Sequence, residues 1–451
     1  MSGAWKLAVR NLSRNRRRNL ATGLAIALGF AALVVLSGYL RYGERFLRAN
    51  AVYIQHGGHV AVFREGGLAL AWLKPGEYRL TRAEQDTVTA TLAADPRVEF
   101  SAPFLRGMGL VGNGCRAVPF VGLGVDLAQE QRIMRHREVQ YACPDLAQPL
   151  AGRELSSYTT VDGAVSLAAG LAKLLGKQRV HDEVPNAVAT PPDCAAPDLA
   201  ARIAADANVQ LAAVTYDGAF SAVDAEMVSV VRANSMDTED TLLLASLPTL
   251  QRLYETDGVT YIAAFLHDVR ETHAVAADVE ARLRALGLRV TTHSFDDERV
   301  NPYFVGTMAF LDSMRFFIDL LVMAVVALSM VNATTLSVLE RTRELGTLRA
   351  LGFQRGELRN LFLRETLILT TLALCAGLVV ALGAIAVFNA TGILVEPPGI
   401  PGRVRLRLEP TVVQSAGLAL EIALVLLGAT WVAVRRQTRT RVVTLLAATS
   451  G

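Results

Sequence analysis

The chain has 451 residues, 52% of them hydrophobic and 19% charged, with a mean hydropathy of +0.32, which is too apolar for a soluble enzyme of this length. A membrane protein is indicated, yet some 270 residues after the first apolar run carry ordinary amounts of Asp, Glu, Arg, Pro and Gly, so a sizeable soluble domain is expected between spans. A formal net charge of +3 offers no global attraction to nucleic acid, and no nucleic-acid partner is expected.

Residues 1–19 carry Lys6, Arg10, Arg14, Arg16, Arg17 and Arg18 with no acid, and lead into an uncharged apolar run at 20–40. That run is long enough to span a bilayer, ends without a small-residue cleavage site and continues into RYGERFLRAN, so a retained helix with its stalk is assigned to 20–50. The outer segment reads as mixed α/β, with a first core half at 51–130, an inserted subdomain at 131–244 and a second core half at 245–302. Thr81 with Glu84 forms a capping box before an amphipathic helix to about Ala94, after which 98–103, 107–112 and 116–122 alternate like strands. Later, 259–266 reads as a strand, 271–286 as a helix with Val275, Val279 and Leu283 four apart, and 288–292 as another strand. The two strand–helix–strand units are expected to share one sheet. The insert should hold a short helix within VSLAAGLAKLLG, strands at 209–215 and 227–231, and a Pro/Ala-rich excursion near 185–200.

From Tyr303 to Glu344 there is no proline and one glycine, Gly306, so about 42 residues are able to form one helix of roughly 60 Å against a hydrocarbon core of about 30 Å. The stalk and second span occupy 303–340, with the apolar part at 316–339. A cytoplasmic loop at 341–365, a third span at 366–392, a short external loop at 393–410, a fourth span at 411–434 and a tail at 435–451 follow. Asp319 lies near the outer end of the second span, four residues after Arg315, and is expected to pair with it there. Glu421 is in mid-span, where an ionised carboxylate costs about 2.5 kcal/mol or more; it should face a protein interface or a wet cavity, or stay protonated.

Orientation follows from the short segments. The opening 19 residues, the stretch 340–365 with six Arg against four Glu, and the tail with Arg435, Arg436, Arg439 and Arg441 are all basic, which places both termini in the cytoplasm and the large domain outside. Arg403, Arg405 and Arg407 in the short external loop depart mildly from this rule. Cys115, Cys143 and Cys194 then lie in an oxidising compartment, and Cys143 with Cys194 is the favoured disulfide because both sit in Pro-rich stretches, ACPDLAQP and PPDCAAPD. Gly23 with Ala27 and Ala25 with Gly29 give the first span a small-residue face for close helix contact, expected between two copies, with packing within one chain the alternative.

Chemistry of its own is not indicated. A phosphate loop needs GxxxxGK followed by Ser or Thr, and Gly176-Lys177 is followed by Gln178. His56 and His59 form a loose HGGH without a third ligand nearby, and GxSxG is missing.

Residues 340–367 read as a charged helix end, a turn at Gly346, a short helix with Leu348 and Leu351 on one side, a stop at Gly352 and a second amphipathic helix feeding the third span. The run RTRELGTLRALGFQRGELRNLFLRE resembles the cytoplasmic loop of the MacB/FtsX/LolC family of ABC-transporter permeases, which carries the coupling helix that meets the ATPase. The resemblance implies docking through Leu345, Leu348 and Leu351, with Arg343, Glu344 and Arg349 at the rim. WKLAVRNLSRNRRRNLATGLAIALG is similar to the family's interfacial elbow helix, implying Trp5, Val9 and Leu12 towards lipid and Arg16, Arg17 and Arg18 towards headgroups. GLAKLLG resembles a segment of the family's outer domain, whereas the tail lacks the proline common after the family's last span.

The fold so implied is an α-helical membrane protein with four transmembrane helices and a large α/β periplasmic domain inserted between helices 1 and 2, in the bacterial inner membrane. The implied function is that of a non-catalytic permease subunit, binding no cofactor itself, whose partner ATPase uses ATP and Mg to drive export or extraction of a lipoprotein, lipid, peptide or drug-like substrate. A second permease copy or paralogue, a periplasmic adaptor or lipoprotein carrier, and membrane lipids are the further partners implied. An FtsX-like regulator that activates a cell-wall hydrolase is the alternative; the large outer domain favours transport.

Overall fold

The structure, a computed structural model, describes residues 10–12, 16–183, 193–233, 235–350, 352–397 and 399–437, with the side chains of Arg343, Leu348 and Arg349 left out. The chain divides into two units: Met1–Gly43, Met308–Ile393 and Leu406–Gly451 form one, Glu44–Thr307 and Leu394–Arg405 the other.

The first unit is built on four long apolar helices, Arg16–Ala49, Pro302–Glu340, Arg355–Thr391 and Val412–Gln437. Each contains a stretch long and apolar enough to cross a membrane. Ile26, Phe30 and Leu33 of the first, Met323 and Val326 of the second, Ala373 and Ala381 of the third and Ile422 and Leu426 of the fourth meet in one core. Leu24, Leu28, Leu320 and Leu424 stay exposed, as lipid-facing side chains do. Residues of the small-residue face of the first helix pack inside the chain. A Cβ on Gly377 would lie 2.5 Å from the Ala27 carbonyl oxygen, and one on Gly29 would lie 3.1 Å from Val326; glycine lets these backbones approach.

The second unit carries a ten-stranded sheet among the described residues. Its elements are β1 (Val60–Arg64), α1 (Arg82–Ala93), β2 (Val98–Gly112), β3 (Ala117–Val125), α2 (Leu127–Met134), α3 (Arg137–Ala142), β4 (Ala151–Gly152), β5 (Ala164–Ala168), α4 (Ala169–Leu174), β6 (Asn208–Val214), β7 (Phe220–Val231), β8 (Leu242–Ser246), α5 (Leu247–Tyr254), β9 (Tyr261–Leu266), α6 (Thr272–Ala285) and β10 (Val290–Ser294). The order is β10-β1-β9-β2-β3-β8-β5-β7-β4, with β6 pairing β2 and β7. The two strand–helix–strand units, β1-α1-β2 and β9-α6-β10, interleave in one antiparallel half-sheet, a split βαβ arrangement. The capping box of Thr81 and Glu84 starts α1. Val275, Val279 and Leu283 of α6 are fully buried with Val88 and Leu92 of α1 against Val60, Val62, Ile262 and Ala264.

The stretch 131–244 does not form a separate sheet: its strands continue the same one through the parallel pairing of β3 with β8. Within it, VSLA is the strand β5 and the helix is confined to α4, because Val165 and Leu167 have strand partners on β8. The expected strands at 98–103 and 107–112 are one, β2, which bonds β9 with its first half and β6 with its last residues. The excursion near 185–200 lies largely outside the described residues, as does the tail beyond 437.

The disulfide joins Cys115 to Cys194, with Cα atoms 5.6 Å apart, and not Cys143 to Cys194. Asn113 Oδ1 accepts the backbone N–H groups of Cys115 and Arg116, holding the β2–β3 turn that presents Cys115. Cys143 is a buried free thiol that contacts the Phe46 carbonyl oxygen at 3.6 Å. Its prolines announce a loop, and burial beneath the residues that follow the first span removes it from Cys194. The histidines of HGGH part company as well: His56 Nε2 lies 2.8 Å from Glu130 Oε2, and His59 Nδ1 accepts the Leu266 N–H at 3.0 Å. Among the described residues no cluster fit for a metal ion occurs.

Candidate functional site

The segment after the second span carries the residues singled out for partner contact. The helix Pro302–Glu340 ends one turn before the expected Glu344, and a separate helix, Thr342–Ala350, follows. The break is at Arg341: the Thr342 hydroxyl donates back to the carbonyls of Val338 and Leu339, at 3.1 and 2.7 Å, and the Arg341 guanidinium turns aside to Glu365. Gly346 is buried within the short helix and makes no turn. Gly352, with φ +100, breaks the chain after it. The helix Arg355–Thr391 then begins with a capping box of Gln354 and Glu357 and runs unbroken into the third span.

Two sets of contacts hold the short helix to its own chain. Leu345 is buried with Val338, Leu358, Phe362 and Val434, so it anchors the helix from within and is not available to a partner. On the polar side, Arg341 Nη1 lies 3.3 Å and Asn11 Nδ2 2.6 Å from Glu365 Oε1, while Arg341 Nη2 donates to the Asn11 carbonyl at 3.2 Å. Arg18 Nη1 lies 2.5 Å from Glu340 Oε2. The faces left outward are those of Glu344, Thr347, Ala350 and Phe353. Leu351 lies outside the described residues, and for Arg343, Leu348 and Arg349 only the backbone is placed, on the short helix.

Of the opening segment, Trp5 and Val9 lie outside the described residues, and Leu12 is half-buried near Arg18 and Asn19, whose Nδ2 donates to its carbonyl at 2.9 Å. Arg16, Arg17 and Arg18 form the first turn of the span helix itself. Within the spans, Arg315 Nε stands 3.6 Å from Asp319 Oδ2, and Glu421 is exposed on the outward face of the fourth helix beside Leu420 and Leu424.

The Asn11–Arg341–Glu365 cluster was not readable in advance, since its members lie 330 and 24 positions apart. The nearest signal is Glu365 itself, an acid at the threshold of an apolar run, which calls for a partner.

This arrangement of a short helix bracketed between two spans coincides with a family match. Residues 316–441 match the FtsX-like permease C-terminal family. That match takes in the second to fourth long helices and the segment between them. With four helices long and apolar enough to cross a membrane, the chain has the makeup of a multi-pass membrane protein.

No curated relative matches the permease chain significantly. Solved structures similar to this chain include the periplasmic region of MacB from Actinobacillus actinomycetemcomitans, at 12% identity and TM-score 0.33, covering 55% of this chain and 94% of that one. The extracellular domain of the noncanonic ABC-type transporter YknZ from Gram-positive bacteria aligns at 8% identity and TM-score 0.32, covering 52% and 99%. A domain of a putative permease from Porphyromonas gingivalis aligns at 12% identity and TM-score 0.26, covering 52% and 85%.

Proposed function

We propose that this permease is a non-catalytic subunit that converts ATP hydrolysis by a separate cytoplasmic subunit into movement of its outer domain, and so exports or extracts a periplasmic or outer-leaflet substrate. The ATPase holds ATP and Mg; this chain holds neither. Both termini are cytoplasmic in this reading, the α/β unit is periplasmic, and the functional assembly contains two permease chains.

The observation that carries the reading is the short helix Thr342–Ala350, which is pinned to its own chain by Leu345 and Arg341 while Glu344, Thr347, Ala350 and Phe353 face outward. A helix anchored on one face and open on the other is suited to lie in a partner's groove, with Leu348 and Phe353 as apolar contacts and Glu344, Arg343 and Arg349 around them. The helix Pro302–Glu340, 39 residues without an internal break, offers a rigid path for the stroke; at about 1.5 Å per residue it measures nearly 60 Å.

Co-purification tests the reading. Leu348→Asp and Phe353→Asp each place a charge in a desolvated contact and should release the ATPase. Ala324→Pro should kink the second span at a cost of about 3 kcal/mol, leaving ATP hydrolysis running while substrate delivery stops. Full binding and activity in both Asp variants would defeat the docking reading, and normal delivery per ATP in Ala324→Pro would defeat the rod.

A further inference from the structure

The α/β unit contains a cleft of about 550 Å3 lined by Arg132, Arg135, Arg137, His136, His267 and Glu99. The sequence puts four of these within six positions, where α2 ends and α3 begins, so that a helix end and the following cap turn the basic side chains into one space. Three guanidiniums and two imidazoles line the cleft with one carboxylate, Glu99, and a second acid, Glu154, lies 3.6 Å from Arg135, so basic groups outnumber acidic ones.

An ordinary solvated charge run would leave these side chains unconstrained. Here Arg132 lies over the Phe100 ring at 4.2 Å and donates to the Glu99 carbonyl at 3.2 Å. His136 stacks on Tyr53 with ring centroids 4.5 Å apart, and its Nε2 lies 3.3 Å from Glu99 Oε2. Glu99 also draws Arg132 and His267, at 3.8 and 3.9 Å. One carboxylate offers about four lone-pair sites, fewer than the N–H groups three guanidiniums and two imidazoles present. Arg132 and His136 are therefore oriented in advance, and the donors together exceed what Glu99 accepts, which lowers the ordering cost of taking a further anion.

We propose that this cleft binds a phosphate-type anion. Guanidinium forks match the oxygens of a phosphate in a bidentate manner. The same chemistry is offered by free phosphates and by lipid headgroups. Tyr53, under His136, follows the last residue of the first long helix, Ala49, by four positions, so a headgroup is the closer source along the chain.

The test uses the full-length protein in phosphatidylcholine nanodiscs, titrated with inorganic pyrophosphate by calorimetry, and the same protein in detergent with phosphatidic acid, followed by native mass spectrometry. The double variant Arg135→Gln/Arg137→Gln should bind about tenfold more weakly, or worse, to whichever probe the wild type binds. Loss confined to phosphatidic acid identifies a headgroup, and loss confined to pyrophosphate a soluble phosphate. Glu99→Gln should tighten binding several-fold by removing the competing carboxylate, an effect a merely structural role would not produce. The proposal is overturned if the wild type binds neither probe, if the double variant binds as the wild type does, or if Arg179→Gln/Arg202→Gln, the same charge change outside the cleft, weakens binding equally.

Discussion

Arg341 and Glu365 pair at 3.3 Å with side chains only 11% and 10% exposed, and this contact joins the start of the coupling segment to the start of the third span. Asn11 completes the pair from the opening segment by donating to the same carboxylate oxygen. Three separate stretches of sequence therefore depend on one acid.

Removing one partner of a shielded ion pair leaves the other charged and unmatched, a loss of about 3–5 kcal/mol where burial is complete and somewhat less here. Glu365→Ala should lower the thermal midpoint of the purified permease and free the short helix, and Glu365→Gln, which keeps an acceptor for Asn11, should do less harm. A double-mutant cycle of Arg341→Ala with Glu365→Ala measures their coupling; an interaction energy near zero would show that the contact does no more than share space.

The contact between Ala27 and Gly377 predicts where the first span binds. Gly377→Leu should destabilise the helix bundle by about 1–3 kcal/mol or more through overpacking, whereas Leu28→Ala, on an exposed face, should have little effect in thermal melts. Cysteines placed at 27 and 377 should cross-link within one chain, and dimers on a non-reducing gel would contradict the packing.

The Cys115–Cys194 bridge closes a loop of 79 residues. Cys115→Ser or Cys194→Ser should cost about 2–4 kcal/mol through the freed unfolded chain. Non-reducing peptide mapping should recover these two cysteines joined. Cys143, whose thiol burial pushes well above its ordinary pKa, should react with iodoacetamide after denaturation and not before.

Acid should loosen the outer unit through His59. Burial pushes this imidazole down from 6.5 to about 3, with the nearby Arg48 adding to the effect. The unfolded state therefore binds an extra proton between those two values, so the stability is fully present above about pH 6.5 and is lost progressively as pH falls towards 3. His59→Gln should flatten the dependence of the unfolding midpoint on pH across that window in denaturant titrations. An unchanged slope would show that another group dominates.

The sequence by itself determined what local composition and period encode. Lengths of uncharged apolar residues set the four spans, because a bilayer admits only chains whose backbone polar groups are satisfied within the helix. The 3.6-residue spacing of Val275, Val279 and Leu283 and the cap at Thr81 set two helices of the α/β unit, and a charged helix flanked by Gly352 marked the segment between the second and third spans. Tertiary structure decided every pairing between distant positions. Proline flanks placed Cys143 and Cys194 in loops but carried no distance, and Cys115 proved to be the neighbour. Small residues on the first span announced a close helix contact without naming the partner, which is Gly377 of the same chain. Nothing local to Leu345 marks it as buried, and only the positions of Val338, Phe362 and Val434 make it an internal anchor. These outcomes depend on which surfaces meet after folding, and a one-dimensional pattern states which faces are apolar or small but not what covers them.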